Sequence, residues 1–372
     1  MSKKHIKNSI LLSLLVAFSF IPTVAMAESG LKKALFIRPD SKERFWDITE
    51  EAMRAACEDL NIKFTVYRED NDPFKTVQKI QQIAAEEDKP DVVFLKPVGF
   101  TLPQIFRTLD GAGVDIFTFN VAVPKAILAK TGEPREKYAR WIGRMHPDDI
   151  NAGYRIAEHL YKRAKQKTGR KSDVVNMVAI EGVSMVTPSD TRLVGLRMVV
   201  EKYDDFIMLE NAEGYWEEEA SEKVASIFLE KYSPDLDAIW SVNDISAIGI
   251  VNAIKKRGLQ PGKDVFVVGI DWLPEIFEYI KRGEIEASLG GHFMGGARAI
   301  ILAYDYKNGH DFAPTHGVSL LYNMQMIDRH NIEIYGSKIQ DMDWADIDFK
   351  MLTKTHNPKL EKYEFDVLKL LD

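Results

Sequence analysis

The sequence predicts an α/β protein made of two doubly wound parallel-sheet lobes, and three observations carry that prediction. With 372 residues the chain exceeds what one hydrophobic core organises, since cores stop growing near about 250 to 300 residues. Short apolar runs alternate with stretches of helical period along most of its length, which is the pattern of a βα series. The alternation breaks once, between Val123 and Met145, where Lys, Pro, Gly and Glu dominate, and then restarts. Two such units joined by an irregular connection imply a cleft between them.

The first unit opens with the strand-like run Ala34 to Ile37, followed by Phe45, Ile48, Ala52, Ala55 and Ala56 on one helical face. Phe64 to Tyr67 leads to Phe74, Val77, Ile80 and Ile83; Asp91 to Leu95 leads to Leu102, Ile105, Phe106 and Leu109; Asp115 to Phe119 closes the series. None of these runs alternates with period 2, as expected of strands covered by helices on both faces. The second unit repeats the scheme. Ile150, Tyr154, Ala157 and Leu160 precede Val174 to Ile180, and Leu193, Leu196 and Val200 precede Phe206 to Leu209. Val224, Ile227 and Phe228 lead to Leu236 to Trp240, and Ile245, Ile248 and Val251 lead to Val265 to Ile270. Beyond Gly317 the pattern is less regular. Asp341, Asp343, Asp346 and Asp348 read as a solvated acidic surface, because the turn glycine and terminal Glu of a calcium loop are missing.

Residues 1–27 stand apart. Lys3, Lys4 and Lys7 precede an apolar run from Ile10 to Ile21, and Ala25-Met26-Ala27 supplies small residues at the cleavage positions. This is the order of a secretory signal peptide cut after Ala27, so the mature chain is expected to begin at Glu28 and to reside in the periplasm. Its loss leaves 46 basic against 56 acidic residues, a formal charge of −10, which argues against a nucleic-acid partner. The single cysteine, Cys57, excludes an internal disulfide and a Cys-rich metal site.

Ligands of open parallel sheets bind beyond the carboxyl ends of the strands, so the residues after each apolar run are the informative ones. Phe45 and Trp46 follow the first strand, Asn120 the fourth, and Arg192 the strand of the second unit that ends at Glu181; Asn243-Asp244 and Asp271-Trp272 end the last two. Carboxylates, amides and a guanidinium beside aromatic faces suit a small polyhydroxylated molecule. Asn243 and Asp244 are equally suited to capping a helix, Asp271 to a turn, Arg192 to a solvated helix face and Trp46 to the core. Their joint placement at strand ends favours a binding site.

These residues carry a resemblance. Phe45-Trp46, Phe117-Thr118-Phe119-Asn120, Ser189-Asp190-x-Arg192-x-x-Gly195, Val242-Asn243-Asp244 and Gly269-Ile270-Asp271, followed by Lys281-Arg282-Gly283, resemble the type I periplasmic binding proteins in order and spacing. The likeness covers roughly residues 33 to 325 and is greatest to the autoinducer-2 receptor subgroup. It implies that Asn120, Arg192, Asn243 and Asp271 contact ligand, and that the lobes share a three-segment hinge. The implied crossings fall near residues 143–146, 287–292 and 319–324. The lobes are then 28–143 with 291–318, and 144–290 with 319–372, the tail from Ile327 packing on the second. The family's polar contact after the last of these strands is replaced by Gly291, with His292 beside it, and Asp271 has no counterpart in the autoinducer-2 receptor. A neutral sugar or polyol is therefore expected rather than autoinducer-2.

Rival functions lack their marks. There is no Walker loop, no His-Glu-x-x-His and no Gly-x-Ser-x-Gly, and Gly290 to Gly296 does not follow dinucleotide-loop spacing, so neither catalysis, a cofactor nor a metal is expected. A transcription repressor with such lobes needs a basic helix-turn-helix where this chain has an export signal. The expected partner is a membrane permease or, alternatively, a sensor kinase or cyclase.

Overall fold

The computed structural model describes residues 30–39, 44–69, 72–167, 172–364 and 366–371. The signal-peptide expectation, residues 1–27, lies outside them. In the first lobe, β1 (Lys33–Pro39) leads to α1 (Arg44–Asp59), whose buried face carries Phe45, Trp46, Ile48, Ala52, Met53 and Ala56. β2 (Lys63–Glu69) follows, then α2 (Pro73–Ala85), which starts where Asp72 accepts from the backbone N–H of Phe74 and a proline occupies the first turn. β3 (Val92–Leu95), α3 (Leu102–Gly111) and β4 (Asp115–Phe119) complete the series, with both strands and the apolar face of α3 buried.

The irregular stretch is more ordered than its composition suggests. It holds a short α4 (Lys125–Thr131) and a strand, β5 (Trp141–Pro147), which pairs in parallel with β4. Apolar periodicity misses β5 because Arg144 and His146 interrupt it, and Arg144 is held by Glu133 and Ser319 at 2.9 Å each.

The second lobe begins at α5 (Asp149–Lys165) and continues through β6 (Val175–Glu181), α6 (Thr187–Lys202), β7 (Phe206–Glu213), α7 (Glu218–Tyr232), β8 (Ala238–Ser241) and α8 (Asp244–Lys256). β9 (Phe266–Val267) and β10 (Gly269–Asp271) are separated by Val268, and α9 (Ile276–Lys281) precedes β11 (Ala287–Gly290). After Gly291 the chain returns to the first lobe as α10 (Gly295–Lys307) and α11 (Ala313–His316). β12 (Ser319–Tyr322) joins β5, and β13 (Gln325–Asp328) crosses back to pair antiparallel with β11. α12 (Ile332–Gln340) packs on α9, and a largely irregular tail ends in α13 (Leu368–Leu371).

The first sheet runs β12-β5-β4-β3-β1-β2, all parallel, and the second lobe holds β7-β6-β8-β9 and β10-β11-β13. Strand order reverses at β1 and at β6, so each lobe presents a switch point at its carboxyl edge. Trp141, Phe36, Phe94 and Phe117 fill the first core and Trp240 the second, all fully buried.

The lobe boundaries differ from the expectation at three points. β5 keeps residues 144–147 in the first sheet, so the first change of lobe falls at Asp148, where that carboxylate caps α5. Ser319–Tyr322 also belong to the first sheet, because they extend the β5 ladder. The tail divides between the lobes: from Trp344 to Tyr363 it packs on α1 and α10 of the first lobe, while α12 stays on the second and α13 returns to it.

Candidate functional site

Arg192 is set by the approach of two helices. α5 and α6 touch backbone to backbone, for a Cβ on Gly153 would stand 1.9 Å from the Arg192 carbonyl oxygen and one on Gly195 would stand 2.1 Å from that of Ile150. The contact carries the Arg192 side chain to the first turn of α5, where its Nε donates to Asp149 Oδ1 at 2.9 Å. Nη1 donates to the Val242 carbonyl at 2.9 Å and lies 3.7 Å from Asp271 Oδ1, and the guanidinium carbon sits 5.9 Å from the Trp216 ring. Burial opposes the Arg192 charge, and the carboxylates of Asp149, Asp271 and Asp244 more than offset it, so the group is held charged.

His292 joins this cluster from the hinge. Its Nε2 lies 3.4 Å from Asp271 Oδ1 and 3.5 Å from Arg192 Nη2, while the Phe45 ring of the first lobe covers the imidazole at 4.6 Å between centroids. Burial, reinforced by the Arg192 charge, pushes the His292 pKa down to about 3, so the ring is neutral. Burial also raises Asp271, to about 7, although Arg192 and a hydrogen bond with Asn243 oppose the shift.

Backbone strain concentrates at the same edge. Of the eight non-glycine residues at positive φ among the described residues, six stand at or just beyond strand carboxyl ends: Asn120, Met185, Tyr215, Trp216, Asp271 and Trp272. Such conformations cost about 1 to 3 kcal/mol each and persist where the surroundings enforce them, most often at functional sites. Across the cleft mouth, Arg44 Nη1 of the first lobe meets Glu275 Oε1 of the second at 2.9 Å.

The predicted residues divide into three groups. Arg192, Asp271, Asn243 and Phe45 are drawn into one cluster. Asn120 ends β4 with φ +68°, its N–H donating to the Met145 carbonyl, and among the described residues its buried Oδ1 has no partner. Three others serve the fold. Trp46 is core, packed against Phe36 and edge-on to Phe45. Asp244 accepts from Ser288 Oγ at 2.7 Å and from the Leu273 N–H at 3.0 Å, so it fastens the turn that presents Asp271. Trp272 lies fully buried over Gly290, its Nε1 donating to the Ser288 carbonyl. The helix-capping reading of Asn243 also holds, for its Oδ1 accepts from the Ser246 N–H while the side chain reaches Asp271.

Sequence reasoning missed Asp149 and Trp216 and left His292 outside the site. Asp149 follows β5, so it would have been found had that strand been read. Trp216 has only the strand-end signal, and its indole is received by Gly182, where a Cβ would stand 2.2 Å from the ring. Among the described residues no group of His, Cys, Asp and Glu is arranged to hold a metal, and Asp341, Asp343, Asp346 and Asp348 are exposed.

Chemically the cluster is rich in acceptors. Asp149 and Asp271 face one guanidinium, and the buried Asn120 Oδ1 has no partner among the described residues. A buried acceptor is satisfied by a donor, so hydroxyl-bearing neutral molecules fit and anions are penalised.

Comparison with known proteins places these observations in context. Residues 34–310 match the family model described as periplasmic binding protein domain. The chain is 24% identical over 202 residues to the galactofuranose-binding protein YtfQ of Escherichia coli, covering 54% of this chain and 58% of that one. It is 31% identical over 188 residues to a D-ribose/D-allose-binding protein of Pseudomonas aeruginosa, covering 50% and 53%. The chain thus spans little more than half the length of these relatives. The crystal structure of a periplasmic sugar-binding protein from Pseudomonas fluorescens superposes with a TM-score of 0.81 at 25% identity, over 92% of this chain and all of that one. Among the described residues no helix is long and apolar enough to cross a membrane.

Proposed function

Because this chain belongs to the periplasmic binding protein domain family, we propose that it captures a neutral sugar or polyol between its lobes and presents the closed form to a membrane ABC transporter. The observation that carries the reading is the buried cluster of Asp149, Arg192, Asp271 and His292, with its surplus of acceptors and the Phe45 ring against it. A polyol supplies several donors at fixed spacing, and an aromatic ring suits its apolar face. The relatives described above, binders of galactofuranose and of ribose or allose, support the same ligand class. That class departs from the autoinducer-2 receptor subgroup, as Asp271 and Gly291 already suggested. Capture is read as hinge closure, in which the ligand shifts the lobes toward the closed population by binding it more tightly.

The test is a thermal-shift screen followed by calorimetry with D-ribose, D-allose, D-galactose and xylitol, since a ligand that binds only the folded state raises its melting temperature. At least one should bind, and Arg192→Ala should weaken it tenfold or more, given that charge-assisted hydrogen bonds contribute about 1.5 to 3 kcal/mol each. A ligand whose affinity is the same in Arg192→Ala and Asp271→Ala as in the parent would remove the cleft assignment.

A further inference from the structure

The tail makes a circuit that the binding site does not require. It leaves α12, which rests on α9 of the second lobe, and reaches the first lobe at Trp344, whose ring meets Phe293 edge-on at 5.4 Å. Lys350 then binds Asp59 at the end of α1, its N–H donating at 3.0 Å and its Nζ at 2.9 Å. The chief anchor is Asp305 of α10. This fully buried carboxylate accepts from the N–H of Lys354 at 2.6 Å, the N–H and hydroxyl of Thr355 at 2.9 and 2.6 Å, and the hydroxyl of Tyr363 at 2.7 Å. His356 stacks on Tyr304 one residue away.

The chain then turns back across the hinge. Val367 covers the crossover glycine Gly291, where a Cβ would stand 3.0 Å from Val367 Cγ2. Lys338 Nζ of α12 donates to the Leu371 carbonyl at 2.7 Å, which closes the circuit on the second lobe. The tail therefore begins and ends on the second lobe, is fastened in its middle to the first, and touches the residue that precedes His292.

We infer that the tail, through residues 341–364 and 366–371, forms a clasp, a fourth link between the lobes, which restrains their opening. The three covalent crossings, at residue 148, at residue 291 and at residues 323–324, act as a hinge. Rotation about them moves α12 relative to Asp305, and the clasp spans that distance at both ends. A docked clasp favours the lobe orientation seen here, in which Arg44 meets Glu275. Since apparent affinity scales with the competent fraction, the clasp also sets how tightly ligand is held. This inference goes beyond the sugar-binding reading and does not depend on it.

The experiment uses the full chain without ligand and reads hydrogen exchange together with the radius of gyration from small-angle scattering. Asp305→Ala removes the acceptor of four donors, so exchange over residues 353–363 should accelerate roughly tenfold or more while β1 and β6 keep their protection. The radius of gyration should rise in the same sample. Unchanged exchange over 353–363 would remove the anchor and overturn the proposal, and so would a released tail with an unchanged radius. Should Asp305→Ala lose the protection of β1 and β6, Asp305→Asn, which keeps one acceptor oxygen and the side-chain shape, decides on the same two readouts. Because no sugar is present, the result is independent of whether one binds.

Discussion

Asp149 holds Arg192 through its Nε, at 2.9 Å across the α5–α6 contact, and thereby turns the terminal nitrogens toward Val242, Asp271 and His292. Both side chains are about 5% exposed, so the pair works in a medium that screens it poorly. Its worth lies in orientation as much as in attraction. Replacing such a pair by apolar groups is often neutral, whereas removing one partner strands a buried charge.

Asp149→Ala should therefore cost about 3 to 5 kcal/mol of unfolding free energy, the range for breaking a buried pair. Arg192→Met combined with Asp149→Leu should cost less than Asp149→Ala alone. Urea unfolding of the variants checks this, and a double variant as unstable as the single one would show that the loss comes from packing, not from the stranded charge.

The raised pKa of Asp271 makes stability depend on pH in a definite direction. The folded state binds this proton more tightly than the unfolded chain, so the contribution is fully present below the ordinary carboxylate range and is lost as pH rises from there to about 7. Asp244, raised by burial and by the Asp271 charge, acts in the same direction. Asp271→Asn should accordingly gain more stability over the parent at pH 8 than at pH 5. Equal differences at both values would mean that Asp271 does not titrate in this window.

The Arg44–Glu275 bridge spans the cleft mouth with side chains 56% and 45% exposed, and solvent reduces such a pair to about 0 to 1 kcal/mol. Arg44→Ala should weaken ligand by no more than about fivefold, through the closed population alone. The parent and the variant should converge near 1 M salt, where screening acts over about 3 Å. A loss that persists at high salt would assign Arg44 a role other than charge.

The export expectation rests on Lys3, Lys4 and Lys7 before the apolar run and on Ala25-Met26-Ala27 after it. Mass spectrometry of protein recovered from the periplasm should find Glu28 at the amino terminus. Recovery of a membrane-bound form that retains Met1 would refute cleavage.

Most strands were legible because each is an unbroken apolar run, the form that burial on both sheet faces demands. Phe36, Phe94 and Phe117 could be placed from that pattern alone, and so could the strand ends that carry Asn120, Asn243 and Asp271. β5 was not legible, since the polar residues Arg144 and His146 interrupt its apolar run and the partners of Arg144, Glu133 and Ser319, lie outside that run. With β5 went Asp149, the residue that orients Arg192.

The sequence by itself determined the α/β class, the two lobes and the strand ends that carry the candidate residues, because periodicity and strand ends are local properties of the chain. Only the tertiary structure decided which of the candidate side chains gather in one cluster. Trp46, Asp244 and Trp272 stand next in sequence to Phe45, Asn243 and Asp271. They turned inward because the hydrogen-bond partners and packing surfaces that claim them, Ser288, Gly290 and Phe36, lie on other elements. The division of the tail between the lobes was decided in the same way. The donors at Lys354, Thr355 and Tyr363 carry no local signal until folding brings the buried Asp305 carboxylate beneath them.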